Sequence, residues 1–124
     1  MLKHRGTYYL LNSGGGPDTR EYASGYATAQ SPAGPVVKHL GNPFIKKARG
    51  IFGPAHCSAI QAHDEKLWMV YHQKKDGARG WKRIICIDQV WFHHEGNFRG
   101  NTTRTTPKNA PVTSVPRRAD HKGP

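Results

Sequence analysis

Apolar positions along the chain fall in short runs rich in aromatic and β-branched residues. Thr7-Tyr8-Tyr9-Leu10-Leu11 is one, Tyr22 to Thr28 a second, and Leu67-Trp68-Met69-Val70-Tyr71 a third. Arg83 to Phe92 is the fourth and strongest. Turn chemistry bounds each run: Ser13-Gly14-Gly15-Gly16-Pro17-Asp18, Ser31-Pro32-Ala33-Gly34-Pro35, Asp76-Gly77 and Glu95-Gly96-Asn97. No segment sustains a 3.6-residue apolar period, so helix is expected to be minor. The third and fourth runs are apolar at consecutive positions, which predicts strands covered on both faces.

The same order of elements occurs twice: short strand, tight turn, aromatic strand, turn, longer strand, turn, short strand. The first copy covers about residues 1–40, with strands at Leu2 to His4, Thr7 to Asn12, Tyr22 to Ala29 and Val36 to His39. The second covers about 56–101, with strands at His56 to Ala62, Leu67 to His72, Lys82 to Phe92 and Asn97 to Arg99. Residues 40–55 link them. Two four-stranded units of like layout point to an all-β chain of stacked antiparallel sheets, either propeller-type blades or a sandwich. Residues 102–124 carry no aromatic residue and are broken by Pro107, Pro111, Pro116 and Pro124. They read as an extended or disordered basic tail, with Arg104, Lys108, Arg117, Arg118 and Lys122 against Asp120.

Composition narrows the choice. With 124 residues the chain has room for one ordinary domain. Hydrophobic residues are only 35%, but 14 glycines make the chain glycine-rich rather than simply polar. Those glycines have no period of three, which excludes collagen. No apolar run approaches the ~20 residues of a membrane-spanning helix. Lys plus Arg is 19 against 8 Asp plus Glu, a formal charge of +11. Such a balance suits a polyanionic partner, nucleic acid through the basic tail included; a solvated basic surface explains it equally. Cys57 and Cys86 make no disulfide framework and read as buried free thiols, with a single bridge left open. The N-terminus has no apolar stretch of signal-peptide length, so either the protein is cytoplasmic or its true N-terminus is missing. The compartment stays open.

Six stretches carry a family resemblance. They are Y-Y-L-L-N-S-G-G-G at 8–16, Y-A-S-G-Y-A-T-A-Q-S-P-A-G-P at 22–35, G-N-P-F at 41–44, G-P-A-H-C-S at 53–58, L-W-M-V-Y-H-Q at 67–73 and G-W-K-R-I-I-C-I-D-Q-V-W-F at 80–92. In this order and spacing the chain resembles the C-terminal part of a family 43 glycoside hydrolase, a class of five-bladed β-propellers. The two repeated units would be the last two blades.

The resemblance implies an inverting glycosidase acting on O-glycosidic bonds in arabinose- or xylose-containing plant polysaccharides. That chemistry uses one carboxyl as acid and a second as base, held apart across the sugar. In the family these carboxyls, and a third that tunes the acid, precede the region matched here. The chain is therefore expected to be a fragment lacking all three, impaired or inactive alone. Its own acids offer no replacement pair: Asp18, Glu21, Asp64, Glu65 and Glu95 fall in turns, and Asp88 matches a structural position of the family.

His56 matches a family histidine that faces the central channel and holds calcium or another cation, directly or through water. The competing reading is a hydrogen-bonded histidine at a strand end. Arg83 matches an arginine that reaches the acid or a sugar hydroxyl, against the alternative of a surface arginine at a strand edge; Lys82 and Arg79 are neighbouring candidates. Trp81, between Gly80 and Lys82, is the tryptophan expected to be exposed for sugar stacking, whereas Trp68 and Trp91 are expected in the core. His63, His72, His93, His94 and Cys57 fit no compact zinc spacing. Gly14-Gly15-Gly16 lacks the Gly-Lys-Ser/Thr of a phosphate loop. Ala55 stands where the family usually has glycine. Two blades cannot close a ring, so their free faces call for further blades or a homo-oligomer. The rival function is a non-catalytic module that binds carbohydrate or a polyanion.

Overall fold

The computed structural model describes residues 1–113. Eight strands form two four-stranded antiparallel meanders, with no helix among the described residues. The first sheet contains β1 (Leu2–His4), β2 (Thr7–Gly14), β3 (Ala23–Ala29) and β4 (Val37–Lys38), adjacent in that order. The second contains β5 (Ala55–Gln61), β6 (Leu67–Lys74), β7 (Arg83–Phe92) and β8 (Phe98–Gly100). This is the twofold layout read from the turn signals, and it has the form of two propeller blades. The predicted part of the tail at 114–124 lies outside the described residues.

The two sheets share one aromatic core, built on Tyr9, Tyr26, Ile45, Met69, Tyr71, Val90 and Phe98. Each fully buried side chain of this size contributes about 1.5–3 kcal/mol. Buried tyrosines also need partners for their hydroxyls, and for Tyr9 and Tyr26 these partners lie in the other sheet. The Tyr9 hydroxyl donates to the Gly96 carbonyl at 2.6 Å. The Tyr26 hydroxyl accepts from the Phe98 amide at 3.1 Å. The His4 ring stacks on Phe92 with centroids 3.9 Å apart, tying β1 to β7.

The linker is part of the fold. Ser24 and Ile45 exchange backbone bonds, and Ile45 and Ile51 are buried. The Asn42 side chain accepts from the Tyr26 amide and donates to the Tyr26 carbonyl, standing in for a neighbouring strand. This close approach requires Gly25, because a Cβ there would lie 2.8 Å from Asn42 Cγ. Small residues on β3 thus let the linker cover its second face.

β7 departs from the expectation of two covered faces. Cys86, Asp88 and Val90 turn towards the core, whereas Ile85 is 83% exposed, Ile87 41% and Trp91 44%. The core reading of Trp91 is therefore corrected: the pleat sends it to the face opposite Val90, on which no second sheet packs among the described residues. Trp68 is buried as expected.

Residues 102–113 form no strand, yet they are tied to the second sheet. Thr103 donates to Asp88 through its amide and its hydroxyl. The Arg104 guanidinium donates to Gln73 and to the carbonyls of Lys74 and Lys75. Lys108 donates to Asp88, to the Ile87 carbonyl and to the Thr103 hydroxyl. The His63 amide donates to the Val112 carbonyl. Two of the tail's five basic residues are thus committed to internal contacts.

Candidate functional site

One end of the two sheets gathers the sequence-derived candidates. The β2–β3 turn of the first sheet meets the β6–β7 turn of the second. Arg79 Nε donates to Asp18 Oδ2 at 2.8 Å, and the Gly80 amide donates to the Asp18 carbonyl at 2.8 Å. Arg83 Nη2 donates to the Pro17 carbonyl at 2.6 Å. The Gly53 amide donates to the Arg20 carbonyl at 2.9 Å. These bonds between the sheets fix the entrance of β5 and the start of β7 beside each other.

His56 sits at a register shift between Ala55 and Ser58, with φ of 58°, in the left-handed region. A bulge of this kind re-aims a side chain and is found next to functional sites. Ala55 does not make the turn; it is fully buried and pairs with His72. Gly53, with φ of 56°, provides the bend upstream, and a Cβ there would press on the Thr19 carbonyl oxygen at 2.9 Å. The His56 amide donates to the Ser13 hydroxyl of β2 at 2.9 Å, which holds the bulge against the first sheet. The imidazole itself is exposed.

His72 is the residue that sequence reading did not place here. Its ring centroid lies 5.7 Å from those of both His56 and Tyr22. Neither of its ring nitrogens has a hydrogen-bond partner among the described residues, although both are buried. Burial, then the Arg83 guanidinium and the His56 imidazole, hold its pKa below the usual histidine value. The neutral ring is the favoured form. The only sequence signal was its position in the L-W-M-V-Y-H-Q run. Its partners follow from strand register, which places it opposite Ala55 and Ile85.

Arg83 is half-buried, and its Nε has no acceptor among the described residues. Its Cζ lies 4.9 Å from the Trp81 ring centroid, so guanidinium and indole stack. Trp81 is 65% exposed, as the sequence predicts. Lys82 and Arg79 are exposed beside it. The structure therefore brings His56, Arg83 and Trp81 to one region and adds His72 and Tyr22.

The acids make no pair here. Asp18 is bound by Arg79, whose hydrogen bond holds the carboxyl below its usual range, with the charge of Lys74 adding to the effect. Glu21 pairs with Lys47. Asp64 and Asp76 accept from amides of their own turns. Asp88 is buried in the contacts to the tail. No group of three His, Cys, Asp or Glu residues is placed to hold a metal ion among the described residues. The dispersed zinc candidates accordingly do not converge, and both cysteines are free. A groove of about 770 Å³ is bounded by Met1, Lys3, Gln61 and Trp91 and contains none of the site residues. It is an open cleft beside the uncovered face of β7.

Known proteins share this fold. A β-D-galactofuranosidase of Aspergillus niger is 34% identical over 105 residues, which is 79% of this chain and 29% of that protein. The crystal structure of a thermostable family-43 glycoside hydrolase superposes with a TM-score of 0.82 at 32% identity, covering 91% of this chain and 37% of that one. An endo-1,4-β-xylanase from Bacteroides thetaiotaomicron superposes with a TM-score of 0.75 at 29% identity, covering 82% of this chain and 36% of that one. The chain thus spans about a third of the length of these relatives, and its two sheets correspond to about two blades of the propeller. Residues 1–98 match the family described as glycosyl hydrolases family 43, and the chain belongs to that family.

Proposed function

We propose that this chain forms a sugar-contacting wall of a family 43 glycoside hydrolase that acts on arabinose- or xylose-containing glycans. The observation that supports this most directly is the convergence of His56, His72 and Arg83 beside the exposed Trp81. The residue types suit a sugar. An indole face complements the C–H surface of a sugar ring. A guanidinium offers fixed donors to hydroxyls or to a carboxylate. An exposed imidazole such as that of His56 offers a further polar contact.

Hydrolysis with inversion needs an acid and a base on opposite sides of the anomeric carbon. The described acids of this chain are paired or lie in turns, so the pair would come from other blades of the whole enzyme. Arg83 would then orient the acid or a hydroxyl. A calcium ion at His56 belongs to the same proposal. The residues present do not make that site alone, because calcium prefers six to eight oxygen ligands and His56 offers one nitrogen. The exposed Ile85, Ile87 and Trp91 would be covered by a further blade or a second copy, and sedimentation of the isolated chain should show concentration-dependent association.

The test is calorimetric titration of the 124-residue chain with arabino- and xylo-oligosaccharides, beside hydrolysis assays on aryl arabinofuranoside and xyloside. Binding that Trp81→Ala abolishes and Arg83→Gln weakens about tenfold, without turnover, is the expected result. Absence of binding overturns the reading. Turnover by the isolated chain overturns the assignment of the acid and base to other blades.

A further inference from the structure

The β6–β7 turn and the strand ends beside it are strongly basic. Residues 74–83 hold Lys74, Lys75, Arg79, Lys82 and Arg83, with Asp76 as the acid of that stretch. Across from it stands Asp18, which Arg79 already binds at 2.8 Å. Asp76 is turned into its own turn by the Ala78 amide.

Lys74 sharpens the imbalance. It is 1% exposed, and its ammonium donates to the Gly80 carbonyl at 2.6 Å. It makes no ion pair among the described residues. A buried cation without a bound carboxylate projects its charge further than an exposed one, because little water screens it. The one carboxylate opposite, Asp18, faces both Arg79 and Lys74, and the excess charge lies next to Trp81, whose ring is both exposed and stacked on Arg83. The positive field also reaches inward, where Arg83 helps keep His72 neutral.

A neutral sugar would use the indole and leave this charge unanswered. We propose that the rim formed by Arg79, Trp81, Lys82 and Arg83 selects a glycan bearing a carboxylate, a uronic acid residue next to the sugar stacked on Trp81. This rests on the carbohydrate-binding reading above and adds the chemistry of the substrate. A carboxylate fits guanidinium geometry and forms charge-assisted hydrogen bonds, which are about twice as strong as neutral ones. Nucleic acid would also be drawn by the charge, but its recognition would not depend on a single indole.

The experiment uses the full chain and two matched probes, a xylo-oligosaccharide carrying one glucuronate and the same oligosaccharide with that carboxyl reduced to the alcohol. The acidic probe should bind at least about tenfold more tightly in dilute buffer, and the difference should shrink as salt rises. Arg79→Gln and Lys82→Gln, both at exposed positions, should each lower the ratio of the two affinities by most of that difference. Trp81→Ala should abolish binding of the reduced probe and weaken that of the acidic one. Equal affinity for the two probes overturns the proposal and leaves the carbohydrate reading standing. No binding of either overturns both. An oligonucleotide that binds as tightly as the acidic probe, with Trp81→Ala without effect on either, identifies a general polyanion surface and also overturns it.

Discussion

The ammonium of Lys108 lies 2.8 Å from the carboxylate of Asp88, and the segment after β8 is held to the second sheet through this pair. Asp88 is 3% exposed and also accepts from the Tyr71 hydroxyl at 2.6 Å and from Thr103. Burial alone would raise its pKa, but the hydrogen bonds from Lys108, Tyr71 and Thr103 outweigh it and hold the group below its usual value. Its stabilising contribution is therefore present above the unfolded pKa of about 3.9 and lost as pH falls through the folded value. Asp88→Ala should cost about 3 kcal/mol in urea unfolding, because it strands several donors. Asp88→Asn should flatten the acid limb of the stability profile.

Gly25 and Asn42 give a sharper steric test. The Gly25→Ala methyl would lie 2.8 Å from Asn42 Cγ, at the residue whose amide group bonds Tyr26 on both sides. Overpacking of this kind costs about 2 kcal/mol. Asn42→Ala added to Gly25→Ala should cost less than the sum of the two single changes, as read from a double-mutant cycle by chemical denaturation.

His72 should titrate below the usual histidine value in its imidazole proton resonances, with burial the first cause and Arg83 the second. Because its folded pKa is depressed, the stability it contributes is complete above about pH 6.5 and declines as pH falls towards the folded value. Arg83→Gln should raise the His72 midpoint. An unchanged midpoint would separate Arg83 from His72 electrostatically.

Cys57 is a thiol that should not react in the folded protein. Burial pushes its pKa up to about 12. At pH 8 its thiolate fraction is on the order of one in ten thousand. Labelling by iodoacetamide should be slow in buffer and fast in denaturant, followed site by site by mass spectrometry.

The strands were legible because the chain punctuates them. Asp76-Gly77, Glu95-Gly96-Asn97 and the glycines after Ser13 end runs of residues that pack in sheets, and β1 to β8 lie where these signals place them. Arg83 and His56 were legible only through the family's motifs, and Trp81 through its neighbours Gly80 and Lys82; their convergence depends on bonds such as Arg83 to Pro17, sixty-six positions apart. His72 was missed because its surroundings are set by register. Trp91 and Ile85 were misjudged because an unbroken apolar run hides which positions the pleat turns outward. The contacts of 102–113 were hidden by a polar, proline-rich composition, although Thr103, Arg104 and Lys108 are the residues that make them.

The backbone of His56 has a consequence for how the protein can change. At φ of 58° a glycine would sit without steric cost, whereas a residue with a Cβ gives up about 1 kcal/mol. Selection for heat resistance alone would favour His56→Gly, so an imidazole retained against that pressure would mark a use of this side chain beyond stability.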